Sequence, residues 1–273
     1  MRCLAALLAV AAAVTPPGAA QSALTAGVTV GAVQLTAQRA EQALTGVVQY
    51  QPNRWLVLTA VPSLVHVSDT GSVSASGPGD LPLSAAAFHV FPTPATPAVA
   101  AALTVVLPVG DAACGLGSGT TAVGLDAGVG VSPTARLRVS ADASRSVSGL
   151  SAQSILSAPH ATALRAAATY DVSPGWKASA SLGADVGASD STQGLSRMVG
   201  AGVSRALAGT LALTLDGSVG LTSASPRWAL SVGLGTAFAG TSPLSLSSPL
   251  GRQKTAFVGG VNPGRGVGKV GCR

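Results

Sequence analysis

Apolar and polar residues alternate with period two along most of this chain, in stretches of about ten residues that end in turn-forming clusters. From Trp228 to Phe238, one face carries Trp228, Leu230, Val232, Leu234, Thr236 and Phe238, and the other only Ala, Ser and Gly. From Leu211 to Leu221, the residues Leu211, Leu213, Leu215, Val219 and Leu221 oppose Thr214, Asp216 and Ser218. Trp176 to Val186 and Ala161 to Val172 repeat the pattern. Successive side chains of a strand point to opposite faces, so this period means strands with two different surroundings. About ten residues is also the length that crosses an outer membrane when the strand is tilted.

Two architectures bury one face of such strands. A soluble sandwich turns its apolar face inward and its polar face to water. A membrane barrel does the reverse, with lipid outside and a polar lumen within. Composition decides between them here. Charged residues are 10% of the chain and Gly numbers 34, whereas soluble domains carry about 25% charged residues. No stretch beyond the N-terminus reaches the roughly 18 unbroken apolar residues of a spanning helix. The fold expected is an all-β, antiparallel, up-and-down transmembrane β-barrel of about twelve strands after an N-terminal signal peptide. The strands fall near residues 24–35, 43–50, 55–66, 81–91, 98–108, 121–131, 136–143, 161–172, 176–186, 195–206, 211–221 and 228–238.

Short turns follow the even strands, at 51–54, 91–97, 132–135, 173–175 and 208–210. Longer loops follow the odd ones, at 67–80, 109–120, 142–160 and 187–194. Such barrels keep short turns in the periplasm and long loops outside, which places both ends of the barrel in the periplasm. Tyr50, Trp55, Phe91, Tyr170, Trp176 and Phe238 all fall beside the short turns, as an interfacial girdle requires.

Residues 1–20 read as the signal peptide. Arg2 is its charged end, Leu4 to Val14 its apolar stretch, and Gly18-Ala19-Ala20 its cleavage site. The barrel then spans residues 21–238, and 239–273 is a flexible Gly/Ser/Pro-rich tail with five basic residues and no acid. Cys3 leaves with the leader. Cys114 and Cys272 lie on opposite sides of a membrane in this topology and are expected to be unpaired. The net charge of +6 comes from Arg2 and the tail, because ten bases and ten acids balance between Gln21 and Phe238. Nucleic acid is therefore not an expected partner.

The strand preceded by Gly77-Pro78-Gly79-Asp80-Leu81 is followed by Leu107-Pro108-Val109-Gly110-Asp111 and then Gly115-Leu116-Gly117-Ser118-Gly119. With Tyr50, Trp55 and Val61-Pro62, this series resembles the outer-membrane proteins of the phenol-degradation meta-pathway family, often called transporters. The likeness covers roughly residues 40–145 and departs at Val109, where the family usually has Thr, and in the poverty of aromatics. It implies a barrel that passes small hydrophobic or aromatic molecules. Gly110, Asp111, Gly115, Gly117 and Gly119 suit a loop folded tightly at the barrel mouth, since Gly permits positive φ and Asp accepts from nearby backbone N–H groups.

The polar faces carry Asp126, Arg136, Arg138, Arg165, Asp171, Lys177, Asp185 and Asp216. A cation facing lipid at mid-depth costs about 2–4 kcal/mol, so these residues should point into the lumen. There they line a pore or fill it with ion pairs. Arg197 and Arg205 sit on the apolar face near strand ends, where they can snorkel to the interface. The chain has three histidines, no Gly-x-Ser-x-Gly and no metal-ligand spacing, so neither enzyme activity nor a cofactor or metal is expected. The function expected is an outer-membrane channel or passive transporter for small molecules, the alternative being a non-conducting structural or adhesive barrel. Its partners would be outer-membrane lipid and the barrel-assembly machinery, the latter through the strand ending at Phe238.

Overall fold

The period-two pattern of the sequence becomes a period-two pattern of exposure. Leu213, Leu215 and Val219 are 40%, 45% and 48% exposed, while the intervening Thr214 and Ser218 are 2% and 8% exposed. Apolar residues outside and polar residues inside invert the order of a soluble sandwich and leave an exterior suited to lipid. The computed structural model describes residues 23–70, 74–93, 95–148, 162–186, 195–207 and 210–238. The leader 1–20 and the tail 239–273 lie outside the described residues.

Twelve antiparallel strands close into one barrel. They are β1 (Ala23–Gln34), β2 (Arg39–Asn53), β3 (Leu56–Ala60 and Ser63–Asp69) and β4 (Ala75–Pro78 and Leu81–Val90). Next come β5 (Ala98–Leu107), β6 (Ala122–Val131), β7 (Leu137–Ser148) and β8 (Thr162–Ser173). The wall ends with β9 (Trp176–Val186), β10 (Arg197–Ala206), β11 (Ala212–Gly220) and β12 (Trp228–Gly235). Each strand pairs with its chain neighbour, and β1 closes the wall on β12 in the register Gly27 to Gly235 through Gln34 to Trp228. Closure joins the two ends of the wall, the condition for spanning hydrocarbon, and only Ala75–Pro78 pairs on one side alone, with Leu64–Val67.

Two strands break and continue. Pro62 has no N–H to give the ladder, and β3 is interrupted there. The gap is bridged by Gly46 N donating to Pro62 O (2.8 Å) and Val61 N donating to Pro82 O (3.0 Å). β4 breaks opposite, at Gly79-Asp80, where Gly79 N donates to Ser63 O (3.0 Å). This paired break shifts the inner face of β4 by one residue, from Ala75 and Gly79 before it to Ala86 after it.

The strands differ from expectation at four ends. β2 starts at Arg39 rather than near 43, and β4 at Ala75 rather than 81, so the expected loop 67–80 shrinks. β7 runs on to Ser148, well into the expected 142–160 loop. The alternation there is carried by Ser, Ala and Arg, too polar a series for a reading that looks for apolar residues. The last strand stops at Gly235, and residues Thr236–Phe238 form a 3-10 turn.

That turn corrects the reading of Phe238, which is 8% exposed and packs inside the barrel with Val47, Val61, Ala212 and Ala237. Its ring occupies the space over Gly27 and Gly233, where a Cβ on either would press against it. The other aromatics behave as a girdle should. Tyr50, Trp55, Phe91, Tyr170 and Trp176 are 40–52% exposed at the end bearing the short turns. Arg205 lies over the Trp176 ring at 5.0 Å, which accounts for a cation on the apolar face.

Candidate permeation pathway

The long connection between β5 and β6, residues 108–121, turns back into the barrel instead of standing at its mouth. Its 3-10 turn, Ala112–Cys114, is capped by Asp111, whose carboxylate accepts from Ala113 N (2.9 Å) and Cys114 N (3.4 Å). Gly115 ends that turn at φ 73° and Gly119 follows at φ 70°, a left-handed region that disfavours other residues. Leu116 and Cys114 then bury themselves against the inner face of β1 to β4, among Val33, Leu35, Ala43, Val65, Val67 and Ala75.

One carboxylate from the wall holds the loop. Asp80, at the break in β4, accepts from Gly110 N (3.1 Å) and from Ser118 N (2.6 Å), and all three are buried. Gly110 and Gly117 lie against each other so closely that a side chain on either would meet backbone. The Gly-Asp and Gly-x-Gly motifs of the sequence thus form one clasp, with Gly110, Gly117 and Ser118 closing on Asp80. The sequence gives Asp80 a place in Gly77-Pro78-Gly79-Asp80 but no role. An acid set between Gly79 and a new strand, in a chain so poor in acids, is the signal that could have singled it out.

The opposite arc of the wall carries most of the charges expected from the sequence. Arg138 Nη2 lies 3.3 Å from Asp171 Oδ2, each side chain about a quarter exposed. Lys177 stands across from Asp171 in the β8–β9 register. At this exposure the Arg138–Asp171 pair is worth about 1 kcal/mol or less. Nearer the other end, Arg165 stands across from Asp142 in the β7–β8 register. Asp142 escapes a sequence reading because it falls at the edge of an expected loop. Asp126 accepts from Thr104 Oγ1 (3.4 Å), and Asp185 is 4% exposed on the inner face of β9. Asp216 reaches from β11 over Gly202 of β10, where a Cβ would collide with its carboxylate and come within 2.8 Å of Ser179 Oγ. Arg136 stands apart from the others, exposed in the turn before β7.

A second buried group, absent from the expected set, lies under the loop side. Arg39 and Glu41 sit two residues apart on the inner face of β2, 3% and 2% exposed, with Asp69 across from Arg39 in register. Opposite charges placed this close lower the cost of keeping each from water. Cys114 is disulfide-bonded, contrary to the expected free thiol, and its partner lies outside the described residues. The expectation fails on the loop's course, since a loop inside the lumen is not confined to one side of the membrane. Among the described residues, no cluster of His, Cys, Asp and Glu could hold a metal ion.

The sequence profile of the family described as "Putative MetA-pathway of phenol degradation" matches residues 13–238. The chain belongs to this family. This member of the phenol-degradation family is also similar to solved outer-membrane barrels. An outer membrane channel from Pseudomonas putida F1 matches with TM-score 0.60 and 17% identity, over 81% of this chain and 98% of that one. The KdgM porin matches with TM-score 0.51 and 7% identity, over 77% and 97%. The NanC porin matches with TM-score 0.50 and 8% identity, over 77% and 98%. None of the curated proteins matches it. At these identities the likeness establishes the fold alone, a closed antiparallel β-barrel.

Proposed function

We propose that the chain is a passive outer-membrane channel for small molecules, with small hydrophobic or aromatic compounds as its permeants. The observation that carries this reading is the division of the inner wall. One arc is covered by an inward loop fixed at Asp80, and the facing arc is left lined by Ala, Gly, Ser and paired charges. A loop clasped to one side of a barrel narrows the passage on that side. The family's description supplies the aromatic class. The leader sends the chain across the inner membrane, and the short turns and both barrel ends face the periplasm. Recognition by the assembly machinery falls on β12 itself.

One observation favours the second reading, a non-conducting barrel. Arg138, Asp171 and Lys177 are close enough to tie neighbouring strands together, as a structural brace would. Reconstitution separates the two. A channel gives discrete conductance steps in planar bilayers and lets phenol-sized solutes into liposomes. Silent bilayers together with solute-tight liposomes would replace the channel by the brace.

A further inference from the structure

We propose that the outer face of the wall from β6 to β10 is a docking site for a phosphate-bearing lipid of the outer leaflet, with Arg145 and Arg197 holding the phosphates. Both arginines are exposed. Arg145 stands across from Leu125 and Thr162 in register, and Arg197 across from Ala184 and beside Leu221. Leu125 and Leu221 are 53% and 61% exposed, so both arginines share the lipid-facing side. Among the described residues neither guanidinium has a carboxylate or an aromatic ring for a partner. Arg205, at the short-turn end of β10, has the ring of Trp176 instead.

Beside these cations the same face is recessed into a groove of about 840 Å³, with Arg197 among its lining residues. Its floor is alanine. Ala127 faces Ala143, and Ala141 faces Ala166, in neighbouring strands. Its banks are Val129, Leu164 and Leu182, which are 56%, 43% and 59% exposed. A methyl group stops short of the reach of a neighbouring leucine, so the surface dips where these alanines meet. The backbone of Arg197 is fixed at the edge. Ser225 Oγ accepts from Arg197 N (2.8 Å) and donates to Arg197 O (2.6 Å).

A lipid tail is already in hydrocarbon, so the groove alone selects little among lipids. The headgroup decides. A cation on the outer face costs least near the interface, and a guanidinium grips phosphate through two parallel hydrogen bonds. The two arginines stand three strands apart, roughly 14 Å at the usual spacing. That separation suits a headgroup with two phosphates better than one with a single phosphate. Tyr170 and Trp176 anchor this arc at the short-turn end, and at the long-loop end cations take their place. The site rests on the orientation proposed above, long loops outward, and not on conductance.

The test titrates lipids onto the folded full mature chain in detergent, read by native mass spectrometry. Lipid A with both phosphates should bind about tenfold more tightly than its dephosphorylated form, as charge-assisted contacts require. Arg145→Gln with Arg197→Gln should remove that preference. Ala143→Leu with Ala166→Leu, which fills the groove, should weaken both forms alike. A heat-dependent gel shift checks that each variant is folded. Equal binding of the two forms, phosphatidylglycerol held as tightly as lipid A, or a preference that survives the double Gln variant would overturn the site. An impermeant maleimide on intact cells should label Ser223→Cys, in the loop before β12. Labelling without a phosphate preference would defeat the site and keep the orientation. A cysteine that never labels would defeat the orientation and the site with it.

Discussion

The two arcs of this barrel solve the same problem in different ways. From β1 to β4 the inner face is rich in Val, Leu and Ala, an apolar surface that water would disfavour, and the protein covers it with its own loop and with Phe238. From β6 to β11 the inner face is Ser, Gly and charge, stable in water and without such a cover among the described residues. On the channel reading proposed above, the first arc sets width and the second selectivity. The first arc also holds charges, but Arg39, Glu41 and Asp80 are buried there, whereas Arg138 and Asp171 on the second remain about a quarter exposed.

The strongest way to break this division is to remove the cover. Replacing residues 109–119 by a short Gly-Ser turn should raise single-channel conductance several-fold, while the barrel still inserts. An unchanged conductance would mean that the loop does not narrow the passage.

Phe238→Ala tests the other cover. Truncating a buried Phe costs about 3–5 kcal/mol, and here the ring fills the space over Gly27 and Gly233. We expect the denaturant midpoint for unfolding in detergent to fall accordingly, whereas removal of residues 239–273 should leave insertion intact. A wild-type midpoint for Phe238→Ala would show that the 3-10 turn is not packed as described.

Asp80 sharpens the comparison, because it joins the two parts of the covered arc. Asp80→Ala leaves Gly110 N and Ser118 N buried without their acceptor, at about 1–3 kcal/mol for each group. The loop should loosen, seen as faster proteolysis within 108–121 and noisier conductance. Asp80→Asn, which keeps one carbonyl acceptor, should fall between the two. Equal behaviour of all three proteins would remove Asp80 from the clasp.

How much of this is legible in the sequence depends on what each residue leans on. The strands from Ala98 onward can be read because alternation is a local signal, and Leu213, Thr214 and Leu215 announce their faces unaided. The charged residues can be aimed inward by the cost of facing lipid, but that Arg138, Asp171 and Lys177 lie together is set by strand register and not by any local signal. Arg39 and Glu41 escape because they precede the apolar part of β2. Phe238 looks like the end of a strand, since its parity matches Trp228. Only the contact with Gly27, at the far end of the barrel sequence, turns it inward. The clasp is non-local in the same sense: Asp80 and Ser118 are 38 residues apart, and nothing near either one specifies the other.

The smallest expected effect belongs to the charged arc. Arg138 lies within the wall beside Asp171, while Arg136 is exposed in the turn. Reversing a charge inside a confined lumen changes the local potential more than reversing one at a solvated rim, because water screens the rim. Arg138→Glu should therefore shift reversal potential towards cation selectivity by more than Arg136→Glu does. The new carboxylate also stands beside Asp171, adding repulsion where an ion pair had been. Raising salt from about 0.1 M to about 1 M shortens the Debye length from roughly 10 Å to roughly 3 Å, so both shifts should shrink, and the Arg136 shift should vanish first. Equal shifts for the two variants would place the selectivity at the turn end, outside the lumen. No shift for either, in a protein that conducts, would mean that ions pass along the covered arc and that the division of labour between the arcs is wrong.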